Sequence, residues 1–266
     1  MRMMTTDILD TIVAHKRTEI ARQEEVVSLD FLMQQLDLDT AGPAKSLKQA
    51  LTASPGILAE FKRRSPSKGW IAPQADPAVI VPGYEQAGAA GISVLTDSEF
   101  FGGSLDDLHT VRPLTSLPVL RKDFIITPYQ LYQAKRIGAD VVLLIAAALT
   151  VDECKRLSAL AHRLGLEVLL EIHAERELDY LNECVDLLGV NNRNLGTFHT
   201  DVENSFRLAR KLPRELVWVS ESGISQPETI RQLRDAGFRG FLMGERFMKT
   251  ASPVQALSDF LQAAAL

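Results

Sequence analysis

From residue 57 onward, short apolar runs with polar ends alternate with helical patterns, and this alternation limits the folds open to the chain more than any other feature. The runs lie at 57–62, 91–96, 118–123, 140–145, 167–172, 186–191, 216–221 and 240–244, eight in all. Helical periodicity fills the gaps at 77–90, 105–114, 128–137, 151–164, 176–182, 203–211 and 227–236. Gly91, Gly138, Gly165 and Gly237 stand just past helix ends, where a left-handed cap suits glycine. Short apolar strands are covered on both faces, and strands that alternate with helices pair in parallel. The expected class is therefore α/β. A count of eight, with no glycine-rich dinucleotide fingerprint after any strand, favours a closed (β/α)8 TIM barrel over an open doubly wound sheet.

About fifty residues precede the first strand. Ile8, Leu9, Ile12, Val13 and Ile20, with Lys16, Arg17, Glu19 and Arg22 between them, predict an amphipathic helix over 6–23. Further helical pieces are expected at 28–36 and 44–52, before Ser54-Pro55-Gly56 breaks the pattern. At 266 residues and 46% hydrophobic content the chain has the size of one barrel, so residues 1–266 are read as one domain with 1–56 as its helical extension.

The net charge of −5 comes from 34 acidic and 29 basic residues spread along the chain, which argues against a nucleic-acid surface. No run approaches the roughly 18 apolar residues of a membrane span, and the start, MRMMTTDILD, lacks the apolar stretch of a signal peptide. A cytoplasmic protein with no membrane partner is expected. Cys154 and Cys184 have no metal-like or redox spacing and are read as reduced thiols on helices.

Five strands end in charged or amide residues: Glu60-Phe61-Lys62, Arg121-Lys122-Asp123, Glu171-Ile172-His173, Asn191-Asn192-Arg193 and Ser220-Glu221-Ser222-Gly223. In a barrel such ends converge on one face, so Glu60, Lys62, Lys122, Glu171, Asn191, Arg193 and Glu221 are expected around one pocket. Period two supports this: Leu58 with Glu60, Leu120 with Lys122, Leu169 with Glu171 and Val219 with Glu221 each place an apolar residue one layer below a polar one. Glutamates crowded against lysines shift one another's pKa values and suit proton transfer. The set lacks the pattern of a divalent-metal cage, and no nucleophile arrangement is visible.

Ser222-Gly223 and Gly244-Glu245 follow the last two strands, where glycine lets backbone N–H groups approach a phosphate. Ser65, with Ser67 and Lys68 in a turn-prone loop, is placed over the same ligand. His15, His109 and His162 fall on helices as surface or packing residues, and His173 is the histidine nearest the pocket. Phe100 and Phe101 serve either as a cover for an aromatic substrate or as loop packing; Phe124, beside Lys122, is the stronger candidate.

At these residues the chain resembles the indole-3-glycerol-phosphate synthase family. The carriers are AEFKRRSPSKG at 59–69, VLTDSEFFGGS at 94–104, PVLRKDFI at 118–125, ADVVLLIAA at 139–147, EVLLEIH at 167–173, GVNNRNL at 189–195, VSESGI at 219–224 and GFLMGE at 240–245. The resemblance implies a carboxy-lyase of tryptophan biosynthesis that closes a ring in 1-(2-carboxyphenylamino)-1-deoxyribulose 5-phosphate and releases carbon dioxide and water. It implies no cofactor and no metal, an N-terminal extension over the barrel mouth, a small phosphorylated substrate, and a monomer or weak homodimer. Lys122 is then the general acid and Glu171 assists proton removal, with Lys62 a second acid or an anchor. Glu60, Asn191 and Glu221 position hydroxyls and lysines, Arg193 attracts an anionic group, Phe124 touches the substrate, and Ser65, Ser222, Gly223, Gly244 and Glu245 surround phosphate. Arg64, where members often carry a small residue, and Glu245, where many place serine, depart from the pattern. A related phosphoribosylanthranilate isomerase would need a cysteine at the first strand end, where this chain has Glu60 to Lys62. Intact Lys62, Lys122 and Glu171 oppose a barrel that has lost turnover.

Overall fold

Eight parallel strands close on themselves in the computed structural model, which describes residues 8–36, 45–194, 196 and 199–266. They are β1 (Gly56–Phe61), β2 (Gly91–Leu95), β3 (Val119–Lys122), β4 (Val141–Ile145), β5 (Glu167–Ile172), β6 (Leu187–Asn191), β7 (Val217–Glu221) and β8 (Gly240–Met243). Each pairs with the next in sequence, and β8 returns to β1 with Leu58 opposite Leu242. The expected closed barrel is therefore present. Every expected strand lies within two residues of its predicted bounds. The expected helix starts at residues 6 and 44, and Leu195, lie outside the described residues.

Alternation along each strand separates two cores. Leu58, Leu120, Leu143, Leu169, Leu187, Val219 and Leu242 point inward and fill the barrel. Their neighbours Ile57, Ala59, Val142, Val168, Leu170 and Leu188 point outward and meet the surrounding helices. Those helices are α4 (Pro77–Ala87), α5 (Leu105–Val111), α6 (Pro128–Arg136), α7 (Val151–Arg163), α8 (Glu203–Ala209), α9 (Pro227–Asp235), α10 (Glu245–Met248) and α11 (Pro253–Ala264), while α1 (Ile8–Val26), α2 (Leu29–Gln34) and α3 (Leu47–Ala53) precede the barrel. Local chemistry sets their starts. Thr150 accepts the Glu153 N–H at 3.2 Å while the Glu153 carboxylate accepts the Thr150 N–H at 2.7 Å, a reciprocal cap that opens α7.

The extension reaches both ends of the barrel. Leu47 and Leu51 of α3 join the interior core from below, and Gly91 and Gly240 leave the space they occupy: a Cβ on either glycine would lie 2.8 Å from a leucine Cδ1. The Lys45 N–H donates to Asp140 at 2.9 Å and the Lys48 N–H to Glu167 at 3.1 Å, so carboxylates at the starts of two strands hold α3 in place. Leu9 and Ile12 of α1 enter the same core at the opposite, C-terminal end of the strands.

Three local expectations need correction. Residues 176–182 are not an α-helix; Glu175–Tyr180 forms a 3-10 helix with i to i+3 bonds such as Leu181 N–H to Leu178 C=O at 3.1 Å. The Glu177 side chain folds back to accept the His173 N–H at 2.6 Å, which favours this tighter turn. The left-handed cap after α4 is Gly88 (φ 102°), not Gly91, which is already inside β2. Cys154 lies on α7, but Cys184 lies in a turn where Asn182 Oδ1 accepts its N–H at 3.0 Å. The loop after β1 folds into a small hairpin in which Arg64–Ser65 pairs with Gly69–Trp70.

Candidate active site

The C-terminal strand ends surround a cavity of about 450 Å³. Glu60, Lys62, Lys122, Glu171, Asn191, Arg193 and Glu221 all line it, together with Phe124, Ser222, Gly223, Gly244 and Glu245. Glu60, Lys122, Glu171 and Glu221 each sit one layer above an inward leucine or valine, and Asn191 above Gly189, because the strand period carries the core face of the barrel directly into the cavity.

Lys122 is the centre of the polar set. Its Nζ lies 2.7 Å from Glu171 Oε2 and 3.1 Å from Glu221 Oε2. Asn191 Nδ2 donates to Glu171 Oε1 at 3.1 Å, and Lys62 Nζ lies 2.6 Å from Glu60 Oε1. Burial pulls the Lys122 pKa down, but the charges of Glu171, Glu221 and Glu60 outweigh it and leave it raised. For Glu171, burial pushes upward and the Lys122 ammonium, His173 and two hydrogen bonds push further down, so it stays ionised. Glu221 goes the other way. Burial, reinforced by Glu171 and Glu60, outweighs the attraction of Lys122 and raises it to about 7.

The space for these carboxylates comes from neighbouring glycines. A Cβ on Gly189 would lie 2.4 Å from Glu221 Oε1, and one on Gly244 would lie 2.6 Å from Glu60 Oε1. Both are closer than real Cβ contacts allow.

The raised Glu221 pKa fixes a sign for stability. Its stabilising contribution is complete below the ordinary carboxylate pKa of 4.5 and is lost as pH rises through about 7, where a buried charge has to form. Glu221→Gln is therefore expected to melt about 5 °C above the parent near pH 8, a gain of roughly 1–2 kcal/mol that vanishes near pH 5. Thermal unfolding across that range checks it. A gain independent of pH would show that the titration of Glu221 is not its source.

Opposite the lysines, Ser222 (φ 66°) and Gly223 (φ 77°) make a left-handed turn after β7. Asn192 holds it, donating to Ser222 C=O at 3.0 Å and to Ser220 Oγ at 3.1 Å. Arg193 lies 3.7 Å from Glu245, so the Glu245 carboxylate faces a guanidinium at this end of the cavity.

Ser65 is placed elsewhere. The hairpin turns its side chain inward, where it is fully buried, and Pro66, Ser67 and Lys68 line the cavity instead. Arg64 faces the loop after β2, donating to Glu99 C=O at 2.6 Å with its guanidinium 5.6 Å from the Trp70 ring. His173 stands behind Glu171, its Nε2 3.4 Å from Glu171 Oε1, and is not among the lining residues. Phe101 lines the cavity, and its ring centroid lies 6.0 Å from that of Phe124.

Sequence reasoning missed Lys16. It was read as part of the polar face of α1, yet it is completely buried, with Nζ 2.9 Å from Glu19, 2.9 Å from Asp97 and 3.0 Å from Asp123. Burial opposes its charge, but Asp123, Asp97 and Glu19 outweigh burial and leave its pKa raised. A signal was present: Lys16 stands four residues after Ile12 and four before Ile20, on the buried stripe.

Fold and cavity together define a (β/α)8 barrel enzyme whose strand ends hold paired lysines and glutamates over one pocket. The chain belongs to the indole-3-glycerol phosphate synthase family, whose pattern it matches over residues 9–260. It is 58% identical over 258 residues to an indole-3-glycerol phosphate synthase of Bacteroides thetaiotaomicron, covering 97% of this chain and 98% of that protein. Proteins of the same name from Polaromonas naphthalenivorans and Magnetococcus marinus are each 43% identical, over 260 and 262 residues, covering 96% of this chain and 98% of each of those proteins. A solved structure described as "Native KDPGal structure" shares the fold alone, with a TM-score of 0.56 and 15% identity over 79% of this chain and 92% of that one.

Proposed function

We propose that the chain converts 1-(2-carboxyphenylamino)-1-deoxyribulose 5-phosphate to indole-3-glycerol phosphate by ring closure, decarboxylation and dehydration, as a carboxy-lyase of tryptophan biosynthesis. The observation that carries the reading is Lys122 held between Glu171 and Glu221 at the centre of the cavity. The ring carbon that bears the carboxylate attacks the ketone carbon while Lys122 gives a proton to the ketone oxygen. Loss of carbon dioxide restores the ring, and the resulting hydroxyl takes a second proton, from Lys122 recharged by solvent, and leaves as water while Glu171 takes up the proton released as the indole forms. A lysine kept protonated beside a glutamate kept ionised suits this division of work.

Glu60, Asn191 and Glu221 position the lysines and the sugar hydroxyls, and Lys62, paired with Glu60, anchors an anionic group. Arg193, Ser222, Gly223, Gly244 and Glu245 form the phosphate end, with Glu245 serving through its backbone N–H because a carboxylate repels phosphate. The ring lies among Leu9, Ile12, Phe101, Phe124 and Ile145 at the apolar end. Ser65 is buried within the hairpin, while Ser67 and Lys68 face the ligand. Residues 1–56 are read as part of the same unit, and the chain as acting as a monomer or weak homodimer. The cytoplasm is the compartment, because a doubly anionic substrate does not cross a bilayer unaided.

The test mixes purified protein with the carboxyphenylamino-deoxyribulose phosphate and follows indole fluorescence. Product is expected without added nucleotide or metal. No product from mildly acidic to mildly basic pH would end the assignment.

A further inference from the structure

The cluster around Lys16 joins three separate parts of the molecule through one buried ammonium. Lys16 comes from α1, Asp97 from the loop after β2, and Asp123 from the end of β3, directly after Lys122. Neither aspartate is there for the ion pair alone. Asp97 Oδ1 accepts the N–H groups of Phe100 at 2.8 Å and Phe101 at 3.3 Å. Asp123 Oδ1 accepts the Phe124 N–H at 2.8 Å, while Oδ2 takes Thr96 Oγ1 at 2.7 Å and Arg121 Nη2 at 2.9 Å. The two carboxylates that Lys16 neutralises therefore hold the backbone of Phe101 and Phe124, which line the cavity's apolar end, and of Phe100 next to them. The adjacent His15 ring meets Phe100 edge to face at 5.5 Å, so α1 grips the same loop twice.

The same helix supplies the other side of that end. Ile8, Leu9 and Ile12 line the cavity opposite Phe101 and Phe124, one to two turns before Lys16. The phosphate end, built from the ends of β6, β7 and β8, has no residue among the partners of Lys16.

We infer that Lys16 is a positioning residue for the aromatic end of the substrate, fixing α1 and the Phe100, Phe101 and Phe124 loops against one another through Asp97 and Asp123. The inference rests on the proposed activity, because it takes the apolar end to receive the aromatic ring. A merely structural lysine would loosen both ends of the site alike, whereas a positioning lysine affects one.

The experiment measures inhibition by indole-3-glycerol phosphate, which carries both ends, and by glycerol 3-phosphate, which carries only one. Two variants are used. Lys16→Met with Asp97→Asn removes one buried charge of each sign and leaves Arg121 paired with Asp123; Asp97→Asn alone leaves Lys16 with Asp123 and Glu19, so the helix stays docked. The double variant is expected to weaken indole-3-glycerol phosphate about tenfold, as two or three side chains lose their fixed positions, and glycerol 3-phosphate by less than about twofold. Asp97→Asn is expected to shift the same ratio by about threefold. An unchanged ratio in Asp97→Asn, or an equal loss for both ligands in the double variant, would overturn the role of Lys16. Failure of the activity reading looks different: the unaltered protein itself would form no product and would bind the two ligands equally.

Discussion

Lys122→Met is expected to lower kcat/KM by roughly 10³-fold while the barrel remains folded. Methionine keeps an unbranched side chain one atom shorter and removes the proton that the ketone oxygen needs. It also removes the charge that holds Glu171 ionised at 2.7 Å, so Glu171 and Glu221 are left as two buried carboxylates that share a proton. Breaking such a pair is costly while both carboxylates are charged, about 3 kcal/mol. The variant should therefore melt lower than the parent near pH 8 and approach it near pH 5, as protons replace the missing ammonium. Single-turnover rates and melting curves at both pH values measure the two halves. A turnover within tenfold of the parent would remove Lys122 from the acid role.

Glu171→Gln is expected to cost roughly 10²- to 10³-fold in kcat with a much smaller change in KM, because an amide keeps a contact to Lys122 and cannot accept a proton. Its effect on stability has the opposite pH dependence to that of Glu221→Gln. The folded pKa of Glu171 is depressed, so its contribution is present above the ordinary carboxylate value and disappears as pH falls through the folded value. Glu171→Gln should be destabilised near neutrality, by about 1–3 kcal/mol, and the gap should narrow in acid. Two glutamates on one lysine that respond oppositely to the same substitution would establish that the environment, and not the residue type, divides their work.

Much of this site was legible because strand geometry leaves few choices. Leu120 and Lys122, or Leu169 and Glu171, are two residues apart on a strand, so a filled barrel below forces a polar ring above. What escaped depends on contacts between distant segments. Ser65 looked like a loop hydroxyl until its pairing with Gly69 turned it inward. Lys16 looked solvated because charged residues flank it, and its burial is made tolerable by Glu19 together with two aspartates on other elements, which the helix by itself does not reveal. Glu221 and Glu171 share a residue type and a strand position, and the direction of their pKa shifts follows from a local field that neither strand contains by itself.

The two inward glycines give the site a constraint on change that acts in pairs. Gly189 on β6 clears the volume that Glu221 on β7 occupies, and Gly244 after β8 does the same for Glu60 on β1. A carboxylate and the empty place beside it thus lie on adjacent strands, about thirty residues apart in one pair and far more in the other. A side chain at either glycine obliges its partner glutamate to move, and with it the ion pair that the carboxylate makes, or to be exchanged in the same step. New chemistry on this barrel would therefore come through coupled exchanges across a strand boundary, and a library that varies one strand end at a time would miss them.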